Sequence, residues 1–72
     1  MIKNRLWVLM AERRTKISIV SDATGISRTT LTNLKYNRSN RIDFKTLEVL
    51  CQYLSITPGE FFEYEPNGGN NS

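Results

Sequence analysis

Histidine is absent from this chain of 72 residues, and cysteine occurs once, as Cys51. Their scarcity removes any zinc-finger spacing and any intrachain disulfide, and it takes away the side chain most often used as a general base. Glycine-rich phosphate loops and nucleophile–base pairings are missing as well. So short a chain has little core in which to build a pocket, and an enzyme is not expected. No metal and no other cofactor is implied. Apolar runs are short: in MIKNRLWVLMAERR five apolar residues, Leu6 to Met10, precede the return of charge. That is too few for a signal-peptide core or a membrane span, so no membrane association is expected. A lone thiol suits a reducing cytoplasm, the expected location. The length is that of one small domain, near the size at which a single core is marginal without a disulfide, a metal or a partner subunit. A homodimer would help it.

Bases are missing after Lys45. Residues 1–45 carry all ten Lys and Arg with three acids (Glu12, Asp22, Asp43), a balance of +7, whereas residues 46–72 carry four acids and no base, a balance of −4. The total of +3 conceals this polarity. A basic half of this kind is the electrostatic footprint of a nucleic-acid binder.

The basic half contains the stretch around which the chain is organised, KISIVSDATGISRTTLTNLKYN, from Lys16 to Asn37. Val20 and Ala23 on one side and Leu31 and Leu34 on the other, with Ile26 between, have the spacing of two amphipathic helices closing on a shared apolar seam. Gly25 stands where a helix needs a residue tolerant of positive φ after its last turn, and Ser27 where the next helix needs an N-cap oxygen. One helix stops and another starts within three residues, as in a helix-turn-helix. With Leu31 and Leu34 inward, Arg28, Thr29, Thr32, Asn33 and Tyr36 face outward or flank the exposed side of the second of these helices. Arg and Asn can make bidentate hydrogen bonds to guanine and adenine edges, and threonine can offer a hydroxyl or a methyl. Arg28, Thr29, Thr32 and Asn33 are therefore the base-reading candidates.

DATGISRTTLTNL resembles the helix-turn-helix core of the Cro/CI-type family of phage and bacterial transcriptional regulators, whose pattern runs A-x-x-x-G-hydrophobic-S-x-x-x-hydrophobic. Here the pattern falls on Ser21 to Gly25, then Ile26, Ser27 and Leu31, with Ser21 where the family usually has alanine. Lys16 is a second departure, near the start of the second helix where many members carry glutamine. With NRLWVLMAER upstream and FKTLEVLCQYLSITPGEFF downstream, the likeness covers roughly Ile2 to Tyr64. It implies an all-α, compact five-helix, lambda-repressor-like DNA-binding domain whose third helix enters the major groove. Candidate phosphate contacts are Lys16, Ser27, Lys35, Arg38, Asn40 and Arg41, the last three in the NRSNR loop that would leave the groove along the backbone.

In order along the chain, the first helix is expected from about Lys3 to Arg13, with Ile2, Leu6, Leu9, Met10 and Arg13 on one face. Trp7 is expected to pack under Phe61 and Phe62, or else to meet a subunit or partner. The second helix, about Ile17 to Thr24, packs Ile17, Val20 and Ala23 and leaves Ile19 partly exposed. Asn37 is a left-handed cap, since asparagine tolerates positive φ well. Asp43 caps a fourth helix with Phe44, Leu47, Val49, Leu50, Cys51 and Leu54 on its apolar side, Cys51 serving as packing. TPGE, Thr57 to Glu60, is a capping box with proline at the first helical position, opening a fifth helix of roughly Pro58 to Glu63. Adjacent Phe61 and Phe62 cannot both enter one core, so one of them, with Ile56 or Tyr64, is available for association. Trp7, Phe61, Phe62 and Tyr64 are the association candidates. Residues 1–64 are then one helix-turn-helix domain, and EPNGGNNS, 65–72, a disordered tail.

Two functions from different classes follow. One is a sequence-specific regulator of transcription bound as a dimer to a double-stranded operator; with no effector domain in these residues it would act by occupying DNA, as phage switch proteins of this size do. The other is an antirepressor that uses the same fold to sequester a repressor protein, suggested by the acidic, aromatic C-terminal half.

Overall fold

The computed structural model describes residues 1–66, so the expected tail lies outside the described residues from position 67 onward. The elements in chain order are β1 (Ile2–Asn4), α1 (Leu6–Glu12), α2 (Ile17–Thr24), α3 (Arg28–Lys35), α4 (Phe44–Leu54), α5 (Pro58–Phe61) and β2 (Phe62–Tyr64). Five helices are present as expected, but the all-α expectation is corrected by a strand pair that joins the two ends of the chain. Ile2 lies opposite Tyr64, Lys3 opposite Glu63 and Asn4 opposite Phe62, antiparallel. The pairing extends past the strands, with the Arg5 N–H donating to the Phe61 carbonyl and the Glu65 N–H to that of Met1, both at 2.8 Å. The Met1 ammonium returns a bond to the Glu65 carbonyl, and Lys3 Nζ lies 3.0 Å from the Glu65 carboxylate. Glu65 is therefore tied to the domain.

The first helix starts later than its apolar spacing suggests because Asn4 intervenes. Its Oδ1 accepts the Leu6 N–H at 2.9 Å, satisfying an orphan donor of the first turn, and the three residues before it run extended. Ile2, expected on the buried face of that helix, is instead 70 % exposed. At the other end α5 stops at Phe61, since Phe62 adopts extended backbone. That change of conformation separates the two phenylalanines: Phe61 is fully buried, while Phe62 packs edge-on against it with ring centroids 5.0 Å apart. The capping box that opens α5 is formed, with Thr57 Oγ1 accepting from the Glu60 N–H and the Glu60 carboxylate from the Thr57 N–H.

One core holds the elements together. Leu6, Leu9 and Met10 of α1, Val20 of α2, Leu31 and Leu34 of α3, Leu50, Cys51 and Leu54 of α4, and Phe61 are all buried. Each of the larger side chains contributes about 1.5 to 3 kcal/mol by leaving water. Besides Ile2, three apolar residues expected inside are not. Ala23 is exposed, because the buried face of α2 runs through Ile17, Val20, Ser21 and Thr24, one step round the helix. Phe44, the first residue of α4, is 87 % exposed. Trp7 is 56 % exposed, so it is not sealed beneath the C-terminal phenylalanines.

Candidate nucleic-acid interface

The turn between α2 and α3 is closed by side chains as well as by glycine. Gly25 has φ +80°, and a Cβ there would meet nothing within 4 Å, so glycine is needed for its backbone conformation and not for space. Thr24 Oγ1 donates to the Val20 carbonyl at 2.7 Å and accepts the Ile26 N–H at 3.2 Å. Ser21 Oγ donates to the Ile26 carbonyl at 2.6 Å, so the residue that departs from the family pattern supplies a bond that alanine could not. Ser27 then caps α3: its hydroxyl accepts the Thr30 N–H at 3.1 Å and donates to Thr30 Oγ1 at 2.8 Å. With the α3 start built this way, Leu31 and Leu34 point into the core and the opposite face is left to solvent.

The far end of α3 is pinned by a polar node. Asn37 has φ +54°, as its asparagine suggests, and the chain folds back so that the Arg38 N–H reaches the Asn33 carbonyl at 2.8 Å. Asn37 Oδ1 accepts the Asn4 N–H at 3.1 Å, and Asn4 Nδ2 donates to the Leu34 carbonyl at 2.9 Å. Asn4 is the one buried polar residue of the described chain, and it ties the N-terminal strand and the α1 start to the end of α3. Sequence reasoning missed it; the only signal is an asparagine two residues before an apolar run, which fits a local turn equally well.

The candidate base readers lie together on α3, with Arg28 and Thr29 exposed and Thr32 and Asn33 half-buried. Asn33 shares a shallow cleft with Thr30, Ser39 and Arg41. Of the phosphate candidates, Lys16, Arg38, Asn40 and Arg41 are exposed and Lys35 half-buried. Ser27 is exposed, but its hydroxyl is engaged by the cap. No acid occurs between Asp22 and Asp43, so the exposed face of α3 itself carries no acid, although Asp43 lines the cleft that holds Asn33 and Arg41. Asp43 stands at the N-cap position of α4 without closing a cap bond of standard geometry. The Thr46 hydroxyl nonetheless draws its carboxyl below the usual carboxylate range, against slight desolvation and with help from the Asp43 and Thr46 N–H groups. Other bases are engaged elsewhere: Arg13 Nη2 donates to the Leu54 carbonyl at 2.8 Å, capping α4, and Arg5 Nη1 to the Glu60 carbonyl at 3.0 Å.

Among the association candidates Phe61 is corrected, since a residue with no exposed surface offers nothing to a partner. Trp7 and Tyr64 are exposed and Phe62 is half-buried. Burial, and after it the Glu60 charge, pushes the Cys51 thiol up, so it remains a neutral packing group. No group of acids and cysteine that could hold a metal occurs among the described residues. No helix among them is long and apolar enough to cross a membrane.

Two short helices joined by a glycine turn, the second presenting an acid-free polar face, define a helix-turn-helix DNA-binding domain. The sequence pattern of the Cro/C1-type HTH DNA-binding domain matches residues 5–67, and the chain belongs to that family. It is 33 % identical over 57 residues to the uncharacterized HTH-type transcriptional regulator YozG of Bacillus subtilis, covering 79 % of this chain and 68 % of that protein. The fold is that of a putative DNA-binding protein from Bacteroides fragilis seen in a crystal structure, with a TM-score of 0.77 and 22 % identity over 88 % of this chain and 100 % of that one.

Proposed function

We propose that the chain is a sequence-specific regulator of transcription that acts by occupying an operator, with α3 laid in the major groove in the lambda-repressor-like manner. The observation that carries this reading is the exposed face of α3, free of acid, rich in groups that can pair with base edges, and held rigid at both ends. Arg28 and Asn33 read guanine or adenine edges, with Thr29 and Thr32 beside them. Lys16, Lys35, Arg38, Asn40 and Arg41 hold phosphates and set the register without telling sequences apart. At the α3 start the backbone N–H groups, rather than the engaged Ser27 hydroxyl, meet a phosphate. Two copies bind a pseudo-palindrome with half-sites about one helical turn apart. The naming of YozG as a transcriptional regulator supports the regulatory part of this reading.

The test is selection of bound duplexes from a random pool at about 0.15 M salt, where exposed charges more than ~8 Å apart are screened. A pseudo-palindrome is the expected result. Arg28→Ala and Asn33→Ala should each then cost about 1 to 3 kcal/mol and relax preference at one base pair. Sequence-blind retention would overturn the reading and turn attention to a protein partner for the same fold.

A further inference from the structure

We infer that Tyr36 is a sequence-reading residue of this interface, and that the group it reads is the 5-methyl of a thymine. The inference rests on the DNA-binding reading above. Tyr36 follows Thr29 by seven residues, which brings it back to the same line along α3 after about two turns. It thus ends the outward face on the side opposite Leu31 and Leu34. It is 57 % exposed, a large aromatic surface left in water beside the base-reading candidates.

Two cations lie against the ring. Arg38 Cζ lies 5.1 Å from its centroid and Lys35 Nζ 5.4 Å, both within cation–π range. Arg38 is brought there by the left-handed turn at Asn37 and the bond from its own N–H to the Asn33 carbonyl, and that turn is itself tied to Asn4. These contacts favour one orientation of the ring before DNA arrives, which reduces what must be ordered on binding.

Its chemistry selects the ligand. Base edges in the major groove offer hydrogen-bond donors and acceptors and one apolar group, the thymine methyl. A tyrosine ring cannot make the paired hydrogen bonds of Arg28 or Asn33, but its flat carbon surface suits that methyl. The amino end of a recognition helix meets the bases first, so a residue at its carboxyl end needs a long side chain to reach them. Thr29 and Thr32 are short; Tyr36 has the reach. Arg38 and Lys35, while flanking the ring, still have N–H donors to offer the phosphates on either side of the base it touches.

The experiment replaces each thymine of the selected operator in turn by uracil, which removes only the methyl, and measures binding by the wild type, Tyr36→Phe and Tyr36→Ala. The wild type should lose about fourfold at one thymine per half-site, the value of one buried methyl. Tyr36→Phe should keep that loss, and Tyr36→Ala should bind thymine and uracil equally at that position alone. Wild-type binding insensitive to every methyl would overturn the proposal. So would a Tyr36→Ala variant weakened on all sequences with its methyl sensitivity intact, which would make Tyr36 a backbone contact. Failure to select any operator sinks the DNA-binding reading itself and is told apart from both results.

Discussion

Asn4→Ala should unfold this domain more readily than its small size suggests. The substitution leaves the Leu6 N–H buried without a partner and takes one donor from the Leu34 carbonyl, which keeps the Asn37 N–H at 3.0 Å; both lost bonds are 2.9 Å long. The orphaned N–H costs about 1 to 3 kcal/mol and the bond lost from the still-paired carbonyl about 0.5 to 1.5, so the loss is roughly 1.5 to 4.5 kcal/mol. A chain of this length has a total stability of roughly 4 to 11 kcal/mol, and the melting temperature should fall by about 6 °C or more. Urea unfolding followed by far-UV circular dichroism reads the change in midpoint, with an unchanged slope showing that the transition itself is the same. Asn4→Asp provides the complementary test. Its carboxylate can still accept from the Leu6 N–H but cannot donate to the Leu34 carbonyl, and it places a charge in the core. Burial raises the folded-state pKa of the introduced group above its unfolded value, so its contribution is most favourable below the unfolded pKa and is lost as pH rises through the folded one. Protonation restores a donor, and Asn4→Asp should approach the wild type on acidification. An Asn4→Ala loss under about 1 kcal/mol would show that water serves these groups and that the node does not hold the end of α3.

Leu31→Ala removes a fully buried side chain from the seam of α2 and α3 and should cost about 2 to 5 kcal/mol in urea unfolding. A cost below that range would mean the helices can close over the gap. Ser55, with φ +59° at the end of α4, should be improved by Ser55→Gly, raising stability by about 0.5 to 1 kcal/mol in the same assay; a loss would show the hydroxyl matters more than the backbone strain. Asp43, whose carboxyl is held below its ordinary value chiefly by Thr46, contributes stability above the unfolded pKa that disappears as pH falls through the lowered folded one. Asp43→Asn should therefore be least stable, relative to wild type, near neutral pH and converge with it in acid. Arg38→Ala should reduce the slope of log affinity against log salt by about 1, and an unchanged slope would remove Arg38 from the phosphate contacts.

Local signals in the sequence were enough for the helix boundaries that depend on local chemistry. Gly25, Ser27, the left-handed backbone of Asn37 and the Thr57–Glu60 box are each set within a few residues of themselves, and each has the conformation its chemistry suggests. The seam residues Val20, Leu31 and Leu34 and the α1 stripe of Leu6, Leu9 and Met10 were legible for the same reason, since a 3.6-residue period is a property of the local chain. Charge segregation, too, is read directly from the order of residues, and so is the absence of acids from α3.

What lay beyond the sequence depends on partners distant along the chain. Ile2 and Lys3 fit a helical stripe as well as a strand; only Phe62 to Tyr64, some sixty residues on, make them a strand. Phe61 and Phe62 are equivalent in sequence, and the turn into β2 decides that Phe61 enters the core. Trp7 and Phe44 read as buried because they are large and apolar, yet no element of this small domain covers them. Asn4 shows the limit most plainly. Its partners are Leu6, Leu34 and Asn37, and no periodicity relates position 4 to positions 34 and 37. The sequence alone determined where the helices turn and which of them carries the cations and amides of a DNA reader; tertiary packing alone decided how the ends of the chain lock that helix in place, because those bonds join residues that meet only in the folded state.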